Sequence, residues 1–248
     1  MDFVEAISIA AAGVAAGAIN TVVGSGSLVT FPVLLAFGYS PVVANVTNTV
    51  GLVPGSVTGA VGYRRELAGQ GQRVRRMGLA SLVGAIVGAA LLLVLPAAAF
   101  KAIVPVIIGL AIVLVLLQPR LNRMLEQRRA PSSEGGWVVT LAVFATGIYG
   151  GYFSAAQGIL LLAVLGLGLP ETLQRVNGLK NVLQLIVNVV AAAVFAVVAH
   201  VAWAPAGLMA IGALIGGLLG AHYGRRLSPT VLRAIIVVIG VVAIFMLV

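Results

Sequence analysis

Cysteine is absent from the 248 residues, which excludes disulfides, thiolate nucleophiles and cysteine-held metal sites. Histidine is nearly absent. His200 and His222 are the only two, far apart, with no His-x-x-x-His pair to hold a zinc ion. Acids number six against fifteen Lys and Arg. They are Asp2, Glu5, Glu66, Glu126, Glu134 and Glu171, all near the ends of apolar runs or between them. No Gly-x-x-x-x-Gly-Lys-Ser/Thr occurs, so the chain carries no ATP-hydrolysing phosphate loop. Ser25 and Ser27 have no histidine nearby to activate them. An enzyme is therefore the weakest reading, and no metal or other cofactor is implied.

Charge itself is scarce. Only 8% of residues are charged and 61% are hydrophobic, where an ordinary soluble domain carries about 25% charged residues. Mean hydropathy is +1.15. Lipid, not water, must be the solvent for most of the surface, and a multi-pass all-α integral membrane protein of the cell inner (plasma) membrane is expected. The formal charge of +9 would point to nucleic acid in a soluble protein. Here the arginines cluster in short loops between apolar runs, with no basic helical face, which excludes a nucleic-acid partner. The N-terminus has Asp2 and Glu5 in place of a basic leader and reads as mature structure.

The apolar runs break at recognisable points. Residues 3–19 and 28–38 are short helices flanking Gly24-Ser25-Gly26-Ser27, and 41–62 is a longer helix entered through Ser40-Pro41. Spans 77–95 and 99–117 follow a polar loop, 64–76. A basic linker, 118–136, holds Arg120, Arg123, Arg128 and Arg129. The second half repeats the plan. Residues 137–150 and 156–168 are short, with Gly150-Gly151-Tyr152-Phe153-Ser154 between them, and 171–199, 204–223 and 229–248 are long.

The halves match at an offset near 130 residues. Phe100-Lys101-Ala102-Ile103 aligns with Leu232-Arg233-Ala234-Ile235, Gly84 and Gly88 with Gly212 and Gly216, and Gly26 with Gly158. Several matches in order mark a duplication, with repeats at 1–117 and 137–248. Arginine-rich loops are expected to be cytoplasmic. Loops 64–76, 118–136 and 224–228 can all be inside if each half contributes three full crossings. An odd number turns the second copy upside down, the inverted-repeat plan of secondary transporters. Each short helix has roughly 11 to 17 residues, marginal against the roughly 20 a crossing needs. Re-entrant hairpins from opposite faces are favoured, with thin tilted spans as the alternative.

Gly-interrupted pairs at matching places in two halves point to the transport site. Asn20, Thr21, Gly24, Ser25, Gly26 and Ser27 at the first break offer hydroxyl and amide donors beside a helix N-terminus, which suits an oxyanion. Gln157 and Gly158 are the counterparts at the second break. Asn45, Thr47 and Asn48 follow Pro41, and Asn177, Lys180 and Asn181 lie on the corresponding later helix; all are candidate cavity-lining residues. Gln184 and Asn188 continue the same amide stripe. Lys180 lies ~14 Å into its helix. An ionisable residue at that depth is a functional candidate by default, and no acid inside a span can neutralise it, which favours a small anionic substrate. The Gly84/Gly88 and Gly212/Gly216/Gly220/Gly224 rows read as packing faces and a potential homodimer contact.

The run Asn20-Thr21-Val22-Val23-Gly24-Ser25-Gly26-Ser27-Leu28-Val29-Thr30-Phe31-Pro32-Val33-Leu34, with Gly38-Tyr39-Ser40-Pro41 and Ala44-Asn45-Val46-Thr47-Asn48-Thr49, resembles the sulfite exporter TauE/SafE family. The resemblance covers essentially the whole chain. It implies a secondary transporter of sulfite, an organosulfonate or a related sulfur oxyanion. The second copy departs from the family pattern: Gly150-Gly151-Tyr152-Phe153-Ser154 replaces part of the glycine run, and Lys180 appears. An anion channel, or a transporter of another small solute, is the alternative.

Overall fold

The structure is a computed structural model, and residues 1–127, 136–223 and 229–247 are described. Among them the chain is helical: α1 (Phe3–Val22), α2 (Ser27–Ala36), α3 (Pro41–Gly62), a 3-10 turn (Arg64–Leu67), α4 (Gly71–Val94), α5 (Ala97–Gln127), α6 (Trp137–Tyr152), α7 (Gln157–Gly168), α8 (Leu173–Val198), α9 (Trp203–Tyr223) and α10 (Pro229–Leu247). Local chemistry sets the starts. The Asp2 carboxylate accepts from the Glu5 N–H at 2.7 Å and caps α1. Pro41 occupies the first turn of α3, where its missing N–H costs nothing. The Thr172 hydroxyl caps α8.

Two boundaries differ from the sequence reading. Helix α4 begins at Gly71, so Arg73, Arg75 and Arg76 sit on its first turns and not in a loop. Helix α5 runs to Gln127, through Pro119, so the first ten residues of the expected linker, including Arg120 and Arg123, are helical. Their polarity reads as loop, but Gln, Leu, Arg, Met and Glu are good helix formers. Arg128 and Arg129, and Arg225 and Arg226, lie outside the described residues.

Both short pairs are hairpins. Gly26, at the start of α2, packs on Ala16 and Asn20 of α1, so the chain reverses at the break. Beyond α2, the Tyr39 hydroxyl donates to Glu5 at 2.7 Å, which returns the chain to the starting end of α1. Burial, then the hydrogen bond and charge of Glu5, push the Tyr39 phenol up to about 12. In the second half Gly168, at the end of α7, packs on Val139 in the first turn of α6. The left-handed turn that makes each reversal falls at matching places, Gly24 with φ 86° and Ala156 with φ 57°.

Helix packing is reciprocal under exchange of the halves. Helix α1 packs on α9 and α6 on α4; α3 on α9 and α8 on α4; α2 on α10 and α7 on α5. Helices α3 and α8 pack on each other, as do α5 and α10. Glycines allow the closest of these approaches. Gly84 and Gly88 of α4 meet the Phe144 and Ile148 carbonyls of α6, and Gly212 and Gly216 of α9 meet the Ala10 and Val14 carbonyls of α1. These rows thus hold helices together inside the protomer; Gly224 lies outside the described residues. The outside of the bundle is apolar. Val106, Leu110, Val113 and Leu117 form an exposed stripe along α5, a surface that suits contact with lipid tails. Five described helices are long and apolar enough to cross a membrane.

Candidate site where the two hairpins meet

The two breaks touch. The Gly158 N–H donates to the Gly24 carbonyl at 3.1 Å, and the Ser27 and Ser154 hydroxyls share a hydrogen bond of 2.7 Å. A Cβ on Gly158 would fall 2.5 Å from the Gly24 Cα, so only glycine permits the contact. Hydrogen bonding at the break departs from the expectation of free backbone donors. Leu28 and Val29 N–H groups close turns onto Ser25 and Gly26, and Gly158 N–H is held by Gly24. The ends of α2 and α7 still direct their positive dipoles here, but those three amides are occupied.

Side chains beside the junction line a collapsed polar cavity with no room for a water molecule: Asn20, Thr21, Gly55, Ser56, Gly59, Asn181 and Gln184. Each polar lining residue is buried, and Asn20, the most exposed, is only 6% accessible. The wall is cross-linked between halves. Gln184 Nε2 donates to Asn20 Oδ1 at 2.9 Å, Asn188 Nδ2 donates to Ser56 Oγ at 2.8 Å, and Asn20 Nδ2 reaches the same oxygen at 3.4 Å. Asn181 Nδ2 has no partner. Of the residues anticipated from sequence, the cavity gathers Asn20, Thr21 and Asn181.

A second polar cluster surrounds the tip of the α6–α7 hairpin. Asn45 Nδ2 donates to the Tyr152 carbonyl at 2.9 Å, and the Thr30 hydroxyl donates to Asn48 Oδ1. Asn48 Nδ2, Asn45 Oδ1 and the Ser25 hydroxyl are buried without partners. Gln157 is fully buried, donates to the Thr146 carbonyl at 3.4 Å, and leaves its Oε1 unpaired. Phe31, Phe100 and Phe153 pack edge-on around this tip, with centroids 5.1 Å apart for Phe31–Phe153 and 6.1 Å for Phe100–Phe153.

Three anticipated residues stand apart. Thr47 Oγ1 accepts from the Ala202 N–H at 3.0 Å and ties down the α8–α9 turn, so it faces away from the site. Asn177 is half-buried and outside the cavity lining. Lys180 is 1% exposed and its Nζ has no hydrogen-bond partner, yet it does not line the cavity. The cause is helical geometry: one residue is 100° of rotation, so Lys180 lies beside the face that Asn181 presents. Sequence reasoning left out Ser56, Gln184 and Asn188 as core members, although Gln184 and Asn188 continue the Asn181 stripe. It also missed Ser154, for which adjacency to the glycine break was the available signal.

The arginine-rich end is closed by a network outside the spans. Glu171 pairs with Arg73 and Arg175, each at 2.5 Å. Arg175 also donates to the Ala68 carbonyl at 2.9 Å, and Gln70 Nε2 donates to the Arg175 carbonyl at 3.1 Å. Burial pushes the Glu171 carboxyl up, but hydrogen bonds and charge from Arg175 and Arg73 outweigh it and hold the group below its usual range.

Two glycine-broken hairpins meeting beside a buried polar cluster are the arrangement expected of a membrane carrier. A family model for the sulfite exporter TauE/SafE matches residues 9–247. The chain belongs to the TauE/SafE family. It is 25% identical over 228 residues to the probable membrane transporter protein YfcA of Escherichia coli (strain K12), covering 92% of this chain and 83% of that one. A probable membrane transporter protein of Haemophilus influenzae is 24% identical over 230 residues, covering 91% and 88%. The probable membrane transporter protein ORF9 of a Sinorhizobium species is 26% identical over 232 residues, covering 91% and 85%. No solved structure matches. This TauE/SafE chain is a membrane transporter and not an enzyme.

Proposed function

We propose that the protein is a secondary transporter of a small anion of the sulfite, organosulfonate or related sulfur-oxyanion class. It works by alternating access between two inverted repeats in the cell inner membrane, with the basic loops cytoplasmic. The observation that carries this reading is a set of buried donors without partners on the two central helices: Asn48 Nδ2 on α3, and Lys180 Nζ and Asn181 Nδ2 on α8. A buried donor left unpaired costs about 1–3 kcal/mol, and more for a cation, unless a ligand completes it. Unpaired amide oxygens are present as well, at Asn45, Gln157 and Asn188. Charge decides the sign. Lys180 is the one buried ionic side chain among the described residues, and every described acid lies in a terminal turn of a helix or between helices. The reciprocal packing of α1–α5 and α6–α10 supports two equivalent halves that rock about the Gly24–Gly158 contact.

Purified protein in proteoliposomes, loaded with unlabelled anion, should accumulate labelled sulfite, sulfate, thiosulfate or methanesulfonate by counterflow. Flux should saturate and be trans-stimulated. Non-saturable flux without trans-stimulation would identify a channel, and no flux of any of the four would remove the sulfur-anion reading. Lys180→Met keeps the stem and removes the charge. It should lower flux strongly while folded yield is retained, and normal kinetics in that variant would take Lys180 out of the transport path.

A further inference from the structure

Lys180 differs from every other cation of the described chain in being fully buried, with a Nζ that no protein atom accepts. The elements packed on α8 are α3, α4, α5, α6, α7 and the 3-10 turn; α1 also touches it through the Asn20–Gln184 hydrogen bond, and its one acid, Glu5, is held by Tyr39 at the far end of that helix. Helices α3 and α7 bring no titratable or charged group. Helix α6 brings Tyr149, whose hydroxyl donates to the Ala155 carbonyl at 2.5 Å, and Tyr152, whose hydroxyl is unpaired. Helix α4 brings Arg73, Arg75 and Arg76; α5 brings Lys101, Arg120, Arg123 and Glu126; the turn brings Arg64, Arg65 and Glu66, all in the terminal parts of those elements. None of them forms an ion pair or hydrogen bond with Lys180.

A charge enclosed by protein and lipid without a counter-charge carries a heavy desolvation cost, and a second, opposite charge beside it offsets much of that cost. Lys180 does not line the cavity, but the next residue, Asn181, does, and Coulomb attraction needs no contact; the ammonium is therefore favoured when an anion occupies the cavity, and by linkage the anion is favoured when the proton is present. Carriers commonly give this role to carboxyl and histidine relays within spans; here no described helix has either in its interior. His200 lies between α8 and α9, and His222 in the last turn of α9.

We propose that Lys180 is the coupling-proton site of the transporter. The amine takes a proton from water on the side where the anion enters. Ammonium and anion cross together, and the proton returns to water on the other side as the anion leaves. The neutral amine then accompanies the return of the empty carrier. For a monovalent anion this is electroneutral one-to-one symport. The inference rests on the anion-transport reading above and adds the identity of the coupling ion and of the residue that carries it.

The test uses the full chain in proteoliposomes, with internal pyranine to report protons and valinomycin with equal potassium to hold the potential at zero. The probe is labelled methanesulfonate, whose charge is constant over the working pH range; sulfate replaces it if only the divalent oxyanion gives counterflow. With the outside one pH unit more acidic, the wild type should accumulate methanesulfonate about ten-fold, the ratio one pH unit can drive at one-to-one coupling. Pyranine should report matching acidification of the lumen. In Lys180→Arg the guanidinium stays charged, so, whatever its rate of exchange, the accumulation ratio should fall to about one. Lys180→Met, read by the same ratio, serves if the Arg variant does not fold. Counterflow in the wild type with no accumulation under the gradient overturns the coupling and leaves the transport reading standing. Gradient-driven accumulation that persists in either variant places the proton elsewhere. Absence of counterflow overturns the transport reading, and this inference with it.

Discussion

The contact between the hairpins can be dissected with three alanine substitutions that separate backbone strain from crowding. Gly38 has φ 85° and nothing within 4 Å of where a Cβ would stand. Gly38→Ala therefore reports strain alone, about 1–2 kcal/mol for an L-residue forced into the left-handed region. Gly158 has an ordinary φ, but its Cβ would lie 2.5 Å from the Gly24 Cα and 3.0 Å from the Gly24 carbonyl oxygen and Gln184 Oε1. Two of those three atoms are backbone and cannot swing aside. Gly158→Ala must push the hairpins apart, at about 1–3 kcal/mol for overpacking, with about 0.5–1.5 kcal/mol more for the Gly158–Gly24 hydrogen bond. Gly24 combines both problems, with φ 86° and a Cβ 2.6 Å from the Gly158 Cα. Adding strain, overpacking and the same hydrogen bond gives about 2.5–6.5 kcal/mol. Thermal unfolding in detergent, followed by fluorescence-detected size exclusion, should rank the midpoints wild type, Gly38→Ala, Gly158→Ala, Gly24→Ala in falling order. A Gly158→Ala protein that melts with the wild type would refute the claim that the two breaks are in backbone contact.

Ser56→Ala removes the oxygen on which Asn188 and Asn20 converge; it should lower the unfolding midpoint by an amount corresponding to about 1–3 kcal/mol and reduce counterflow. Glu171→Gln should destabilise the arginine-rich end at pH 7. Because the folded carboxyl is held below its usual value by Arg175 and Arg73, its stabilisation is present above the unfolded value of about 4.3 and is lost as pH falls below it. The gap between wild type and Glu171→Gln should thus close below about pH 4, and a gap that widens there would contradict the assignment. Reporters fused between α3 and α4 should read cytoplasmic and one after Val248 external; a cytoplasmic C-terminus would break the inverted plan.

Much of this was legible in the chain. Glycine clusters at residues 24–26 and 150–151 announced two breaks because glycine punctuates helices wherever it occurs in number. Their matched positions announced that the breaks belong together. The contact itself, Gly158 N–H on Gly24, needs three-dimensional pairing that no local pattern encodes. The same limit explains the site. The stripe of Asn181, Gln184 and Asn188 marked a polar helix face, yet nothing in sequence tells Ser56 to receive Asn188, or turns Thr47 toward Ala202. Lys180 is the instructive case: burial and lack of a counter-charge followed from composition, but a single step of helical rotation moved it off the face that lines the cavity. The helix through Pro119 was misread because polarity, not propensity, was used to end it.

Alternating access to the cavity between the halves is the central claim, and the absence of native cysteine makes it directly measurable. Asn181 lines the cavity and its Nδ2 makes no hydrogen bond, so Asn181→Cys breaks none from that amine. In oriented vesicles, a membrane-impermeant thiol reagent should label Cys at this position when applied from either face, and saturating substrate anion should slow labelling from both. Labelling from neither face, or from one face only and without protection by the anion, would contradict the account.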